Sequence, residues 1–332
     1  MPGGAVMTAA PAASARSISS RDCDTTSPEP IRSRSKECIR PFSPVRDNRV
    51  VTSLPPLGLL LDVDGPISST RTRTVRLHGL AADLVAIARS GCPVVFNTGR
   101  SVDFLAEQVL PALTRAGLTA ADPVWGVGEK GGTWFSLVER NGSPTVGEVS
   151  LDERIAPPPA LVEAGRRIAA EYSEIVFFDN TKRTMVSLEQ HVNVRRDEFL
   201  PCRDRIVEAF EFAIGDTGAT GFTIYPTVIS VDVEHVDSGK ALGAQRALEL
   251  IAPRMEAPRR WFTAGDSGQD YDMASYLHEH GFDVTHLDVR LSGEVPAVPF
   301  PVIRELPVLE DGSAEDDITA RHISRLRLEI GA

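Results

Sequence analysis

The sequence of 332 residues has few cysteines, few aromatic residues and no excess of positive charge. Its four cysteines have no paired spacing for a zinc or redox site, so we expect reduced thiols in a cytoplasmic protein. The net charge of -11 disfavours nucleic acid or an anionic membrane as a partner. No apolar run approaches the length that spans a bilayer. A small anionic substrate stays compatible with this charge, because a bound metal ion can reverse the sign of a site.

Residues 1 to about 52 also lack large apolar side chains and hydrophobic periodicity. They are rich in Ser, Pro, Ala and Arg, which predicts a disordered N-terminal extension over 1–52. The segment has no continuous apolar core of the kind that a secretory signal needs. A transit peptide or a regulatory tail is one interpretation. A dispensable extension, with Met7 or a later residue as the true start, is the other.

The rest of the chain has the composition of a folded protein, with a hydrophobic content of 42% and a length that suggests two domains. Strand-like and helix-like segments alternate from Leu57 onward, beginning with strands over 57–61 and 94–97. A helix between these strands has apolar residues at helical spacing, and the helix after Gly99 should kink at Pro111. This alternation predicts an α/β fold in which a parallel sheet carries helices on both faces.

The pattern changes after Gly132. Two segments flank the strong turn signal Asn141-Gly142 and predict a hairpin. Two helices and four short strands follow, predicted over 159–172, 175–179, 184–188, 197–214, 222–225 and 228–233. Hairpins with helices between them predict an α+β insert in the parallel-sheet domain. The predicted organisation is therefore a core over 53–132 and 236–332, interrupted by a smaller α+β domain over 133–235.

Polar side chains stand at the ends of apolar runs at four places in the predicted core. These places are Asp62-Val63-Asp64-Gly65, Thr98-Gly99-Arg100, Ser238-Gly239-Lys240 and Asp266 to Asp270. In an open α/β sheet the ligand lies beyond the carboxyl ends of the strands. If the strands are neighbours, carboxylates, a hydroxyl and an ammonium meet at one point, where they can hold a divalent cation and a phosphate. The sequence therefore predicts an enzyme that acts on phosphate esters.

Asp62 and Asp64 are two residues apart, so on an extended backbone both carboxylates face the same side. Two close carboxylates, one of them on a metal, differ in pKa, which separates a nucleophile from a general acid. Thr98 and Gly99 follow a second strand and open a helix, where a hydroxyl, free backbone N–H groups and the positive end of the helix can together bind an anion. Each pattern alone also fits an ordinary polar turn or helix start.

Lys240 stands in the first turn of its predicted helix, where a cation opposes the helix dipole unless it is used or well exposed. Asp266 offers a hard oxygen ligand of the kind that Mg²⁺ prefers. Asp270 can hold Lys240 or a metal-bound water, and it can also cap the following helix. Each of the four patterns alone is ambiguous. Their occurrence together, in this order along the chain, is what predicts an enzyme that acts on phosphate esters.

One further motif does not support a nucleotide site. The segment 126–131 matches the pattern G-x-G-x-x-G of dinucleotide-binding proteins. That fingerprint requires a helix to follow, whereas the next residues predict a strand.

Taken together, the four motifs resemble those of the haloacid dehalogenase (HAD) superfamily of hydrolases. The resemblance covers about 57 to 290 in order and spacing. The interval between the second and third motifs is long, as in the branch of the superfamily whose cap domain is inserted between these two motifs. That branch includes the Cof-like and sucrose-phosphate phosphatases. The resemblance implies a Rossmann-like HAD core with an inserted α+β cap.

The resemblance also implies the roles of individual residues. Asp62 would be the nucleophile that forms an aspartyl-phosphate, and Asp64 the general acid and then the base. Mg²⁺ would be bound by Asp62, by the backbone carbonyl of Asp64 and by Asp266. Thr98, with Gly99, and Lys240 would bind the phosphoryl oxygens.

Two positions depart from the family pattern. Pro66 stands where the family usually has Thr, and it removes a backbone donor. Gln269 replaces the usual Asn before the last Asp of the motif. Both changes bear on local geometry and leave every catalytic carboxylate in place.

These observations predict a Mg²⁺-dependent phosphatase for a small phosphomonoester, with a sugar phosphate as the expected class of substrate. A phosphomutase with the same acid pair is the first alternative, and a non-catalytic binding protein on this fold is the second. Neither nucleic acid nor a membrane is an expected partner, and the sequence does not define an oligomeric state. The cap residues predicted to contact substrate, or else to form an ordinary solvated loop, are Lys182, Arg183, Gln190, His191, Asn193 and Arg195.

Overall fold

Two β-sheets with helices packed against them form the part of the chain that the computed structural model describes, residues 54–306 and 314–332. The predicted N-terminal extension over 1–52 lies outside the described residues. Within the described ranges the strands are β1 (Gly58–Leu61), β2 (Val94–Asn97), β3 (Val124–Gly128), β4 (Thr133–Arg140), β5 (Ser143–Val146), β6 (Ser150–Leu151), β7 (Val176–Phe178), β8 (Met185–Gln190), β9 (Phe222–Pro226), β10 (Ser230–His235), β11 (Arg260–Gly265), β12 (Asp283–Asp288) and β13 (Val302–Arg304).

The helices are similarly distributed along the same two ranges. They are α1 (His78–Arg89), α2 (Val102–Phe104), α3 (Leu110–Arg115), α4 (Pro159–Glu171), α5 (Arg196–Thr217), α6 (Lys240–Ile251), α7 (Tyr271–Glu279) and α8 (Glu315–Ile330). No helix in residues 54–306 or 314–332 combines the length and the apolar character that crossing a membrane requires.

The larger sheet has the strand order β13-β12-β11-β1-β2-β3-β4-β5, with β6 paired to β4. The six strands from β13 to β3 run parallel, and β4 is antiparallel to β3. Alternate residues of β1 enter different cores: Leu59 and Leu61 pack with α1 and α8, while Leu60 packs with α6 and α7. Helices therefore cover both faces of the sheet, as continuous apolar strands require.

The smaller sheet is antiparallel, with the order β7-β8-β10-β9. One face of β8 and β10, formed by Val186, Leu188, Val231 and Val233, is buried against α4 and α5. Here, the cap means the segment 159–235 that contains this sheet and these two helices. The predicted fold class, a parallel-sheet α/β core with an inserted α+β cap, is confirmed.

The hairpin around Asn141-Gly142 forms as predicted, but it lies in the larger sheet and not in the cap. We expected the smaller domain to begin at 133, and the structure instead continues the core sheet through β4, β5 and β6. The reason is a close fit at Gly126 of β3, where an added Cβ would lie 2.2 Å from the ring of Phe135. A glycine in β3 thus leaves the space that the aromatic side chain of β4 fills.

Pro111 is the second residue of α3, and the sequence predicted a kink at this position. The five residues before α3, Leu105–Val109, form a π-helical turn that joins it to α2 without a break. The regular helix is therefore interrupted directly before the proline.

Candidate active site

The polar strand ends predicted from the sequence lie together at one edge of the larger sheet. β1 is paired in parallel with β2 on one side and β11 on the other. Asp62 follows β1, Thr98 follows β2 and Asp266 follows β11. Because neighbouring parallel strands end at the same edge, these three side chains are brought to one place.

Lys240, the first residue of α6, joins two of the carboxylates. Its Nζ lies 2.6 Å from Oδ1 of Asp62 and 2.7 Å from Oδ1 of Asp270. It also donates to the backbone carbonyl of Asn97, at 2.8 Å. The ammonium is buried, with only 4% of the residue exposed. Although burial lowers the pKa of Lys240, the two carboxylates raise it above its ordinary value, so the group stays charged.

Three carboxylates crowd around this single ammonium. One oxygen each from Asp62, Asp266 and Asp270 can be chosen so that all lie within 4.8 Å of one another. Burial, and the other carboxylates, raise the pKa of Asp62 to about 7 and that of Asp266 to about 9. The excess of negative charge and the all-oxygen donor set both fit a hard divalent cation such as Mg²⁺. Asp62 and Asp266 are the side chains that would hold it.

Asp270 already has partners for both of its oxygens. Oδ1 faces Lys240, while Oδ2 accepts from the backbone N–H of Ser267 at 2.9 Å and from its hydroxyl at 2.8 Å. An added Cβ on Gly265 would lie 2.1 Å from Cβ of Asp270, so the strand end must be a glycine for this carboxylate to fit. The arrangement supports a role for Asp270 in holding Lys240 and the loop after β11.

Gly65 brings the first motif close to the fourth. Its backbone has φ of +87°, and an added Cβ would lie 2.5 Å from Oδ2 of Asp266. Both the left-handed conformation and the close approach therefore call for glycine.

Asp64 lies outside the group of three carboxylates and is paired with Arg100. Nε of Arg100 donates to Oδ2 of Asp64 at 2.8 Å, and Nη2 lies 3.3 Å from Oδ1. The same guanidinium donates through Nη1 to Oε1 of Glu189 on β8, at 3.2 Å. Arg100 therefore connects the second aspartate of the first motif to the cap. The sequence offered a signal, since Arg100 follows Thr98-Gly99 directly, but its partner was unpredictable.

Thr98 is fully buried, and its backbone N–H belongs to the sheet through Val127. Its Oγ1 accepts from the backbone N–H of Arg100 at 3.1 Å. The following helix begins only at Val102, with Ser101 as its cap. Gly99 thus lies in the connection between β2 and α2, and not in the first helical turn as expected.

The predicted cap contacts divide into two groups. Nζ of Lys182 donates to the carbonyl of Gly99, and Arg183 lies 3.8 Å from Asp103 of the core. The other four residues, Gln190, His191, Asn193 and Arg195, lie between the last residue of β8 and the start of α5.

The polar groups of that segment are used within the cap. Nε2 of Gln190 donates to the carbonyl of Val194 at 2.6 Å, and Nε2 of His191 lies 2.9 Å from the carbonyl of Ser173. Arg195 pairs with Asp197 at the start of α5, and Asn193 is exposed. Among these predicted contacts, the structure therefore brings Lys182 and Arg183 to the core.

The sequence analysis missed the polar face of the cap sheet. Alternate residues of β8 and β10 point away from the apolar cap core, and two of their carboxylates pair with the main core domain. Glu189 pairs with Arg100, and Glu234 lies 2.8 Å from Nζ of Lys130. The alternation of polar and apolar residues along these strands can be recognised in the sequence. The sequence does not show that the polar side faces the core domain. The other polar residues of this face are Ser187, Ser230 and Asp232.

The core is a mostly parallel α/β sheet with carboxylates at its strand ends. The second sheet is inserted in the sequence between β6 and β11 of this core. Together these features define a capped, Rossmann-like class of protein. No protein-family profile matches the sequence. No curated protein matches it by sequence.

Solved structures identify the fold more closely. The C-terminal domain of a C. albicans trehalose-6-phosphate phosphatase is 13% identical, with a TM-score of 0.53 over 82% of this chain and 93% of that chain. A haloacid dehalogenase-like hydrolase from Bacteroides thetaiotaomicron is 12% identical, with a TM-score of 0.53 over 81% of this chain and 98% of that chain. The chain has the haloacid dehalogenase-like fold, which is the fold that the resemblance of its motifs implied.

Proposed function

We propose that the protein is a Mg²⁺-dependent phosphoric monoester hydrolase that acts on a small polar metabolite, with a sugar phosphate as the substrate class. One observation carries the proposal: the buried ammonium of Lys240 joins Asp62 and Asp270 at the strand ends, beside the carboxylate of Asp266. A phosphoryl group that enters this site meets a nucleophile and a fixed positive charge.

The reaction begins with Asp62. Its carboxylate oxygen forms a bond to phosphorus, the ester P–O bond breaks, and the leaving alcohol takes a proton from Asp64. Water then attacks phosphorus, the bond between phosphorus and the Asp62 carboxylate oxygen breaks, and Asp64 accepts the proton of that water. Inorganic phosphate leaves, and the Asp62 carboxylate is regenerated. Lys240 and the hydroxyl of Thr98 stabilise the charge on the phosphoryl oxygens. Bound Mg²⁺ supplies further charge neutralisation, which lets an anionic carboxylate approach an anionic phosphate.

Arg100 has a consequence for the proton transfers. Nε of Arg100 donates to Oδ2 of Asp64 at 2.8 Å, and Nη2 lies 3.3 Å from Oδ1. Two donors in the fixed plane of a guanidinium define the orientation of a carboxylate. Arg100 therefore holds the Asp64 carboxylate in one orientation for both the acid step and the base step.

The polar face of the cap supports a sugar as the leaving group. Its carboxylates and hydroxyls accept hydrogen bonds, and sugar hydroxyls donate them. Asp232 on β10 is paired with Ser187 on β8, and it accepts hydrogen bonds from the hydroxyls of Ser187 and Ser230. Closure of the cap over the core would exclude water while this face contacts the leaving group.

A screen of the purified protein against phosphorylated metabolites with Mg²⁺ tests the proposal, with release of inorganic phosphate as the readout. We expect Asp62→Asn to reduce turnover by about a thousandfold or more, because it removes the nucleophile. Unchanged turnover in this variant, or turnover without a divalent cation, contradicts the proposal. An isomerised sugar phosphate without phosphate release would identify the phosphomutase instead.

A further inference from the structure

The connection between β7 and β8, residues 179–184, is a cap segment that reaches into the core. We call it the docking turn. Oε2 of Glu129, in the core, accepts from the backbone N–H of Arg183 at 2.7 Å, from that of Thr184 at 2.6 Å and from the hydroxyl of Thr184 at 2.9 Å. Glu129 is buried, with 1% of its surface exposed. One core carboxylate thus satisfies three donors of the cap.

The core side of this contact is shaped for the docking turn. The other oxygen of Glu129, Oε1, accepts from the hydroxyl of Thr133 at 3.3 Å, which ties the carboxylate to β4. At Gly132 an added Cβ would lie 2.0 Å from Oγ1 of Thr184. Gly132 has φ of −76°, a value that any residue can adopt, so the backbone conformation does not require glycine here. The close approach of Thr184 is what requires the absence of a side chain.

Two other residues of the docking turn contact the connection after β2, which contains the proposed phosphate-binding residues. Oγ1 of Thr181 donates to Oγ of Ser101 at 2.8 Å. Nζ of Lys182 donates to the carbonyl of Gly99, next to Thr98. The position of the Lys182 ammonium, beside the carbonyl of Gly99, therefore depends on where the turn is held.

We propose that Glu129 is a positioning residue that docks the turn onto the core and thereby places Lys182 where it binds an oxygen of the substrate phosphate. The docking itself is independent of catalysis, while the role given to Lys182 rests on the proposed phosphatase function. Glu129 and Gly132 act on the substrate only through the turn.

Hydrogen–deuterium exchange of the full-length protein tests the docking without reference to activity. Glu129→Ala removes the acceptor and Gly132→Ala fills the space, so both should raise the exchange rate of the docking turn by about tenfold, as expected for lost bonds to a charged group. Glu129→Gln keeps an acceptor oxygen and should restore most of the protection. Glu139→Ala, at an exposed residue of β4, and Gly79→Ala, with open space at its Cβ, are the controls. Unchanged exchange in both test variants overturns the docking.

A double-mutant cycle tests the link to Lys182, with p-nitrophenyl phosphate as the substrate. We expect Glu129→Ala and Lys182→Ala each to raise KM by about tenfold, the typical effect of one lost charge-assisted contact, with a smaller change in kcat. The KM of the double variant should be no higher than that of the more impaired single variant, since both substitutions remove the same contact. Additive effects overturn the positioning role.

The two arms separate the two proposals. If the wild-type protein hydrolyses no phosphate ester, the proposed function fails, and affinity for inorganic phosphate, measured by calorimetry, replaces KM in the same cycle. Phosphate affinity that is equal in the wild-type protein and in both single variants then overturns the role of Glu129.

Discussion

At the scale of single residues, Lys240 occupies the first position of α6, where the helix dipole disfavours a cation by about 0.3–1 kcal/mol. The carboxylates of Asp62 and Asp270 offset this cost, and both are themselves buried. The sequence predicted that these side chains would meet, because Asp62 and Asp266 directly follow recognisable strand ends. The order of contacts, with Lys240 between the two carboxylates, required the folded backbone.

Removing the ammonium should damage stability as well as turnover. Lys240→Met leaves two buried carboxylates without their partner, so we expect the free energy of unfolding to fall by about 3–5 kcal/mol. Urea denaturation measures the change, and phosphate release should be lost in parallel. Adding Asp270→Asn to this variant should recover part of the stability. A double variant less stable than Lys240→Met alone contradicts the pairing.

Gly65 and Gly142 form a matched pair for a second prediction. Both have positive φ, of 87° and 75°, but only Gly65 would place a Cβ against Asp266. Each change to alanine should cost about 1–2 kcal/mol of stability for the left-handed backbone. Only Gly65→Ala should also reduce turnover and Mg²⁺ affinity, measured by enzyme assay and calorimetry. Equal turnover in the two variants would show that the close approach to Asp266 has no importance.

At the scale of structural elements, the connection between β2 and α2 contains the proposed phosphate-binding residues and also Arg100, which links the core to the cap. Arg100 reaches Asp64 in the core and Glu189 on β8 with one guanidinium. A planar group with several fixed donors can serve two carboxylates in this way, whereas an ammonium acts as a point charge.

Arg100→Lys should therefore weaken the orientation of Asp64 while keeping the charge. We expect kcat to fall by about tenfold, because Asp64 carries the proton transfers and a less well oriented carboxylate performs them less efficiently. Arg115→Lys, at an exposed position of α3, is the control substitution. Steady-state kinetics make the comparison, and an equal kcat in the two variants would refute the role of Arg100.

The elements themselves were largely predictable, and their neighbours less so. Apolar runs that end at a polar side chain identified β1, β2 and β11, because a buried parallel strand has a distinctive composition. The hairpin of β4 and β5 was predicted, but its sheet was not, since the choice depends on Phe135 meeting Gly126 across two strands. Contacts between core and cap, such as Glu129 with Thr184, have no local signal at all.

At the scale of the whole molecule, the crowded carboxylates make the stability of the metal-free protein depend on pH. The raised pKa values of Asp62 and Asp266 mean that the folded state keeps protons which the unfolded chain releases above pH about 4. The free energy of unfolding therefore falls as the pH rises from about 4 toward 9.

A divalent cation should reverse much of this loss. We expect Mg²⁺ to raise the melting temperature more at pH about 8 than at pH about 5.5, because protons compete with the metal at low pH. Differential scanning calorimetry with Mg²⁺ or with a chelator measures the effect. Asp266→Asn should largely abolish the response to Mg²⁺, and a response that is equal at both pH values contradicts the site.

The insertion of the cap has a biosynthetic consequence. β1 is wholly apolar and central, yet its partner β11 is translated only after the entire cap. During synthesis one edge of β1 remains open after β2 has emerged from the ribosome, and an open apolar edge invites pairing between nascent chains. Chains that stall before residue 260 would thus be prone to aggregate and would depend on chaperones until the last strands are made.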